Sequence, residues 1–299
     1  MRKIGYNACP LCNSSNIEKR FSCKDHFATG EFFDIYKCSD CSFVFTQDVP
    51  DEKEIGRYYD TPSYVSHSNT DKGIINKLYH IVRRIMLRRK VNLVKRLTML
   101  RKGKLLDYGA GIGYFAHAMQ EADWDVTAID KSPQARQSAK QNLGIDIEPE
   151  EYLGTIKEAT FDVITMWHVM EHIQEIHDFW DTLYRILDES GILIIAVPNC
   201  SSYDAETYRE NWAAYDTPRH LWHFTPSTIM EFGRRHKFIL ERQETMPFDG
   251  FYISMLSERY KGARCATLRG IWNGFLGWIA SFDKTSASSS IIYVFRKRK

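Results

Sequence analysis

The run Leu105-Leu106-Asp107-Tyr108-Gly109-Ala110-Gly111-Ile112-Gly113 decides the fold. Its first residues read as a short apolar strand. Glycine at every second position then lets the chain turn tightly into a helix and lets a ligand approach the backbone. The spacing is G-x-G-x-G rather than the dinucleotide G-x-G-x-x-G, with Tyr114 where the dinucleotide glycine would stand. Asp107 ends the strand, where a carboxylate repels a pyrophosphate and holds a cationic amino-acid moiety. Asp130 closes the next apolar run, placed to accept from both ribose hydroxyls. The loop and its two acids point to S-adenosylmethionine; the alternative is a structural turn with two helix-capping acids.

Downstream the pattern alternates. Helices are expected over 114–122, 134–142 and 176–187, with strands at 124–130, 161–166 and 191–197. The last of these, Gly191-Ile192-Leu193-Ile194-Ile195-Ala196-Val197, is the continuous apolar run of a strand covered on both faces. A helix near 226–236 and strands near 238–242 and 290–296 follow. This is an α/β chain with a doubly wound, Rossmann-like sheet.

With LLDYGAGIGYF (105–115), VTAID (126–130), FDVITMWHVMEHI (161–173) and ILIIAVPN (192–199), the chain resembles the class I S-adenosylmethionine-dependent methyltransferases over about 58–299, and most nearly their ubiquinone-type branch. The resemblance implies a seven-stranded sheet whose last strand, Ser290 to Arg296, is antiparallel. It implies that Asp107, Gly109, Ala110, Gly111 and Gly113 line the methionine end and Asp130 the ribose, with Lys131, Trp167 and His168 also at the cofactor. An adenine contact would come from 147–152, where no familiar pattern identifies the residue. In the ubiquinone-type enzymes an acid and a histidine like Glu171 and His172 hold a divalent ion near the acceptor oxygen. Here His168 replaces the first carboxylate of that set, which leaves it incomplete. The string H-x-x-E-H also matches an inverted zinc-protease motif, but it starts at a strand end and lacks that motif's long helix.

After the fifth strand, residues 198–225 form an excursion dense in Trp212, Tyr215, Asp216, Arg219, His220, Trp222, His223 and Phe224. Transfer to oxygen needs a base at the acceptor, and histidine suits the role. His220 is the first candidate, flanked by Asp216 and Arg219; His168 and His172 complete the catalytic set. The alternative is a packed loop held by an Asp216–Arg219 pair. Tyr64 and His67, in the connector, could fold over the cofactor.

Residues 1–48 read as a separate small module. Cys9-x-x-Cys12 and Cys38-x-x-Cys41 can close a tetrahedral thiolate site suited to zinc, and the ion replaces a core that so short a segment cannot build. Cys23, Cys200 and Cys265 have no partner at metal spacing and read as small apolar residues. The expected organisation is 1–48 zinc-ribbon-like module, 49–103 connector and basic helix, and 104–299 cofactor-binding domain.

The composition suits a globular chain: 299 residues, 43% apolar, 26% charged. No apolar stretch approaches the ~20 residues of a membrane span, and no signal-peptide pattern opens the chain, so a cytoplasmic location is expected. A net charge of +2 conceals twelve Lys/Arg and no acid between Lys72 and Lys104. A helix is expected over 73–99, with Ile74, Leu78, Ile81, Val82, Ile85, Val91, Val94 and Leu97 on its apolar face. The reading is an S-adenosylmethionine-dependent methyltransferase with zinc, acting on a small molecule: a hydroxyl or carbon of a sugar, quinone-like or secondary metabolite. The second reading is an RNA base methyltransferase gripping phosphates through ribbon and basic helix. It is disfavoured because the ribbon balances Lys19, Arg20, Lys24 and Lys37 against Glu18, Asp25, Glu31 and Asp34. The third is a non-catalytic S-adenosylmethionine-binding interaction protein. Oligomeric state is left open, and the apolar segment 268–282, broken by three glycines, is expected to pack.

Overall fold

The computed structural model describes residues 3–59 and 74–298, with side chains of the helix opening at 74 described from residue 81. Tyr64 and His67 lie outside the described residues.

Strands β1 (Lys3–Ile4), β2 (Ile17–Lys24), β3 (Phe32–Cys38), β4 (Val44–Thr46) and β5 (Val49–Pro50) form the N-terminal part. Helix α1 (Ile74–Thr98) leads into the alternating region: β6 (Lys104–Tyr108), α2 (Tyr114–Gln120), β7 (Asp125–Ile129), α3 (Pro133–Leu143), β8 (Phe161–Trp167), α4 (Ile176–Ile186) and β9 (Leu187–Pro198). Then come α5 (Tyr203–Tyr208), β10 (Trp222–His223), α6 (Pro226–Arg235), β11 (Phe238–Thr245), α7 (Asp249–Tyr260), α8 (Ala266–Asp283) and β12 (Ser290–Lys297).

The main sheet has the order β11-β12-β9-β8-β6-β7. Strands β7, β6, β8 and β9 pair in parallel, and β12 inserts antiparallel between β9 and β11. The doubly wound α/β fold with an antiparallel last strand is therefore present, but among the described residues its sheet has six strands, not the expected seven. The seventh place is reduced to one bridge, Ile129 to Glu148. One residue on, Pro149 has no N–H to donate, and the chain turns into a 3-10 segment, Glu150–Thr155.

Apolar side chains cover both faces of the sheet. On one, α4 and α6 bury Trp180, Leu183, Phe232 and Phe295. On the other, α1 and α2 bury Leu93, Val94, Phe115 and Met119 against Ile194 and Val294. The apolar stripe of α1 differs from the expected one. Met86, Leu87, Val91 and Leu97 pack with Leu93 and Val94, while Ile81 and Ile85 are exposed. Arg84, Arg88, Arg89 and Lys95 face solvent.

The N-terminal part is not a free-standing satellite. Its sheet runs β10-β4-β3-β2, so a strand from the 198–225 excursion completes it, Trp222 pairing with Phe45 and His223 with Val44. Cys9, Leu11, Phe43 and Phe45 share one continuous core with Trp222, Phe224 and Phe232. Cys23 and Cys200 are buried as expected, whereas Cys265 is exposed.

The segment 268–282 lies within α8, and packing holds for only one of its faces. Gly270 and Gly274 press against the backbone of α7 so closely that a Cβ would lie 2.4 Å from Met255 Cα and 2.7 Å from Phe251 Cα. The large side chains point away from that contact. Among the described residues no helix is long and apolar enough to cross a membrane.

Candidate active site

The glycine loop sits at the C-terminal edge of the parallel strands, where ligands bind in such sheets. Gly109, Gly111 and Gly113 all have positive φ (72°, 56° and 80°). Gly113 needs its missing side chain for packing as well, since a Cβ there would lie 2.4 Å from Ile145 Cδ1. At Gly111 a Cβ would meet nothing within 4 Å, so this turn of the loop opens onto free space.

Two acids frame that space. Asp107, 1% exposed, accepts from Thr165 Oγ1 at 2.8 Å. Burial pushes its carboxyl up to about 7, against the pull of Thr165 and the Lys90 ammonium. Asp130 accepts from the Gly111 N–H at 2.6 Å and the Ser132 N–H at 2.8 Å, which fixes the carboxylate and leaves one acceptor site per oxygen. Lys131 projects outward, 3.3 Å from Glu52 and 3.7 Å from Glu150.

Sequence reasoning missed Lys90. Its ammonium stands 4.1 Å over the Trp167 ring, and burial pushes its pKa down to about 8 while Asp249 and Asp107 hold it up. The signal was its register: Lys90 is the one charged residue in the stripe Met86, Leu87, Lys90, Leu93, Val94, Leu97. A buried acid and a half-buried ammonium complement the amine and carboxylate of an α-amino acid, and Asp130 suits a diol. The donor set fits S-adenosylmethionine.

His168 follows β8 in a left-handed conformation, φ 60°, with Nε2 2.9 Å from Asp249 Oδ2 and Nδ1 3.6 Å from Glu171 Oε1. Burial would lower its pKa, but the hydrogen bond to Asp249 and the nearby Glu171 carboxylate raise it to about 9. It is an imidazolium at neutral pH and offers no lone pair to a proton. Asp249, the other partner, heads α7 and carried no sequence signal.

His172 and His220 are held by backbone carbonyls instead. His172 Nδ1 is 2.9 Å from the Arg219 carbonyl and 3.1 Å from the Tyr59 hydroxyl; His220 Nδ1 is 2.8 Å from the Ala214 carbonyl. A carbonyl only accepts, so each ring carries a proton on Nδ1, and the lone pair of its neutral form lies on Nε2. Burial and the neighbouring His220 push His172 down to about 4. The two rings meet edge to face, 4.6 Å between centroids. Beside them Glu171 is wholly buried, with neither carboxylate oxygen hydrogen-bonded. Burial would raise its pKa, but the His168 ring 3.6 Å away holds it below the usual carboxylate range. Ligating atoms of Glu171, His172 and His220 lie within 4.8 Å of one another.

The excursion is held from behind. Arg219, 3% exposed, donates through Nε to Asp216 Oδ2 (2.9 Å) and through Nη1 to the Tyr58 carbonyl (2.8 Å), and lies over the Phe27 ring. The Asp216–Arg219 pair and the histidine next to it thus coexist in one loop. His223 is fully buried, its Nε2 3.0 Å from Thr46 Oγ1, and burial drives its pKa far down. Of the two histidines, His220 joins the cluster of Glu171 and His172, and His223 belongs to the core.

Four sulfurs gather at the other end of the N-terminal sheet. Cys9 and Cys41 Sγ are 3.5 Å apart, Cys12 and Cys38 Sγ 3.6 Å, and all four lie within 4.8 Å. These distances are too long for disulfides and match edges of a tetrahedron around an ion with ~2.3 Å metal–sulfur bonds.

Residues 80–238 match the family described as "Methyltransferase domain". Ubiquinone biosynthesis O-methyltransferase of Pelagibacter ubique is 31% identical over 166 residues, which cover 50% of this chain and 67% of that protein. The mitochondrial ubiquinone biosynthesis O-methyltransferase of Schizosaccharomyces pombe is 33% identical over 101 residues, 31% of this chain and 37% of that protein. The chain spans about two-fifths of the length of the first curated relatives it matches. Among solved structures, a putative sarcosine dimethylglycine methyltransferase from Galdieria sulphuraria shares the fold, with a TM-score of 0.52 at 15% identity, over 73% of this chain and 88% of that one.

Proposed function

The chain belongs to the class I S-adenosylmethionine-dependent methyltransferases, and from that premise we propose that it methylates a small-molecule acceptor, at a hydroxyl or acidic carbon of a sugar, quinone-like or secondary metabolite. The observation that carries this reading is the cluster of Glu171, His172 and His220, whose ligating atoms lie within 4.8 Å of one another while a backbone carbonyl holds Nδ1 of each histidine. Bound S-adenosylmethionine supplies an electrophilic methyl group on a sulfonium centre. Asp107 would hold its amine, Lys90 its carboxylate, Asp130 its ribose hydroxyls, and the open turn at Gly111 its approach to the backbone.

His220 takes the acceptor proton at Nε2. The Ala214 carbonyl keeps Nδ1 protonated, so no other tautomer competes, and the Glu171 carboxylate stabilises the imidazolium that forms. His172 shapes the same wall and stays uncharged. His168, already a cation, and Asp249 brace the strand end beside them. The four cysteines hold zinc in a structural role, since the set is closed by thiolates with no open position for chemistry.

A small acceptor is favoured over nucleic acid because the N-terminal sheet is used internally: β4 pairs with β10 of the acceptor loop. The test is S-adenosylhomocysteine formation with a panel of hydroxylated and enolisable compounds. His220→Ala is expected to lower turnover ~10²–10⁴-fold with calorimetric affinity for S-adenosylmethionine unchanged. Turnover equal to the parent removes His220 from the mechanism, and no product with any acceptor favours a non-catalytic binding protein.

A further inference from the structure

Helix α8 is patterned inside out. Its small residues, Gly270 and Gly274, make the contact with α7, and Gly277 that with Tyr203, while its large apolar side chains face away from the molecule. Leu268 (70% exposed), Trp272 (61%) and Phe282 (70%) are joined by Ile271, Phe275, Trp278 and Ile279, each more than a third exposed. At 100° per residue these seven positions fill one continuous arc of about 120° with no charge inside it. Trp272, Phe275, Trp278 and Phe282 run along the arc as a chain of ring contacts, 4.9 to 6.1 Å between centroids. Taking ~200 Å² per side chain, the exposed apolar area is on the order of 700 Å², above the largest patch of an ordinary monomer. No other described element covers it.

Charge at its margin selects the occupant. From Arg259 to Phe282 the chain carries Arg259, Lys261, Arg264 and Arg269 and no acid. Arg259, Lys261 and Arg264 are exposed at the turn that leads into α8. Self-pairing of two copies through a coiled-coil seam would use a narrow a/d stripe, whereas this arc is wide and rich in tryptophan and phenylalanine. It has exposed cations at the turn before its N-terminal end, with Asp283 at its C-terminal end and Arg269 paired with Glu258. That combination suits the interface of an anionic bilayer: aromatic rings at headgroup depth, cations against lipid phosphates.

We infer that α8 docks this protein on anionic membrane surfaces, lying in the interface plane without crossing. The inference is independent of the methyl-transfer reading, because none of these side chains belongs to the glycine loop or the histidine cluster.

The test uses the full chain with vesicles of phosphatidylcholine alone or of equal parts phosphatidylcholine and phosphatidylglycerol, scored by co-sedimentation. The parent is expected to partition to the anionic vesicles and to leave them as salt rises. The double variant Lys261→Gln/Arg264→Gln should bind them about thirtyfold more weakly. Trp272→Glu/Phe275→Glu should abolish binding while thermal melting and S-adenosylmethionine affinity stay at parental values. Parent protein that stays in the supernatant with both vesicle types overturns the inference. So does a parental dimer that Trp272→Glu/Phe275→Glu converts to monomer without changing vesicle recovery, which would assign the face to a second copy.

Discussion

Single residues in this site are tuned by what surrounds them more than by what they are. Asp107 is the clearest case. Its ordinary carboxyl value is 3.8, and burial carries it up to about 7. A carboxyl raised on folding is protonated across that window, and a cationic amine binds only its ionised form. S-adenosylmethionine affinity is therefore expected to rise with pH through about 7 and to fall by up to ~tenfold per unit below it. Calorimetry in buffers of different ionisation enthalpy should detect the released proton, and an affinity independent of pH between about 5.5 and 8 would refute this. Lys90 tests the opposite charge. Lys90→Met should weaken cofactor binding by one charge-assisted hydrogen bond, about 2 kcal/mol or ~thirtyfold, with the melting temperature held. Equal affinity in the variant would take Lys90 out of the site.

At the scale of elements, the strand alternation was legible because β6, β8 and β9 are apolar runs bounded by glycine or acid. The seventh strand was not legible. Glu148 and Pro149 decide by one missing N–H whether the edge continues, and a family pattern does not report that. Nor were α7 and the inner face of α8, whose glycines read as breakers and in fact buy close approach. The short strand β10 was equally hidden, since two residues carry no periodicity. Yet β10 fixes the 198–225 loop. Thr46 donates from Oγ1 to the His220 carbonyl at 2.8 Å, and its N–H bonds the Leu221 carbonyl. Thr46→Val, nearly isosteric, should lower turnover about tenfold while cofactor affinity is unchanged. An acceptor KM and kcat both equal to the parent's would show that the loop holds its place without this bond.

On the scale of the whole molecule, the four-cysteine centre and the histidine cluster lie on opposite ends of one cross-linked unit. Zinc at Cys9, Cys12, Cys38 and Cys41 would anchor the sheet that β10 joins, so losing the ion loosens the acceptor wall before the cofactor loop. Cys38→Ser is expected to reduce bound zinc from about one per chain, to lower the melting temperature by several degrees and to cut turnover. Cofactor affinity should change less than threefold. Parental zinc content in that variant would refute the site. The sequence by itself determined the cofactor class, the strand–helix alternation and the four thiolates, because each depends on residue type at short, fixed spacing. Tertiary structure decided which charges face each other and which histidine nitrogen meets a backbone carbonyl. It also decided that a strand from the 198–225 loop completes the N-terminal sheet, and that α8 shows its large side chains to solvent. Those outcomes depend on contacts between residues far apart in the chain, where burial and a backbone carbonyl, not spacing, set the chemistry.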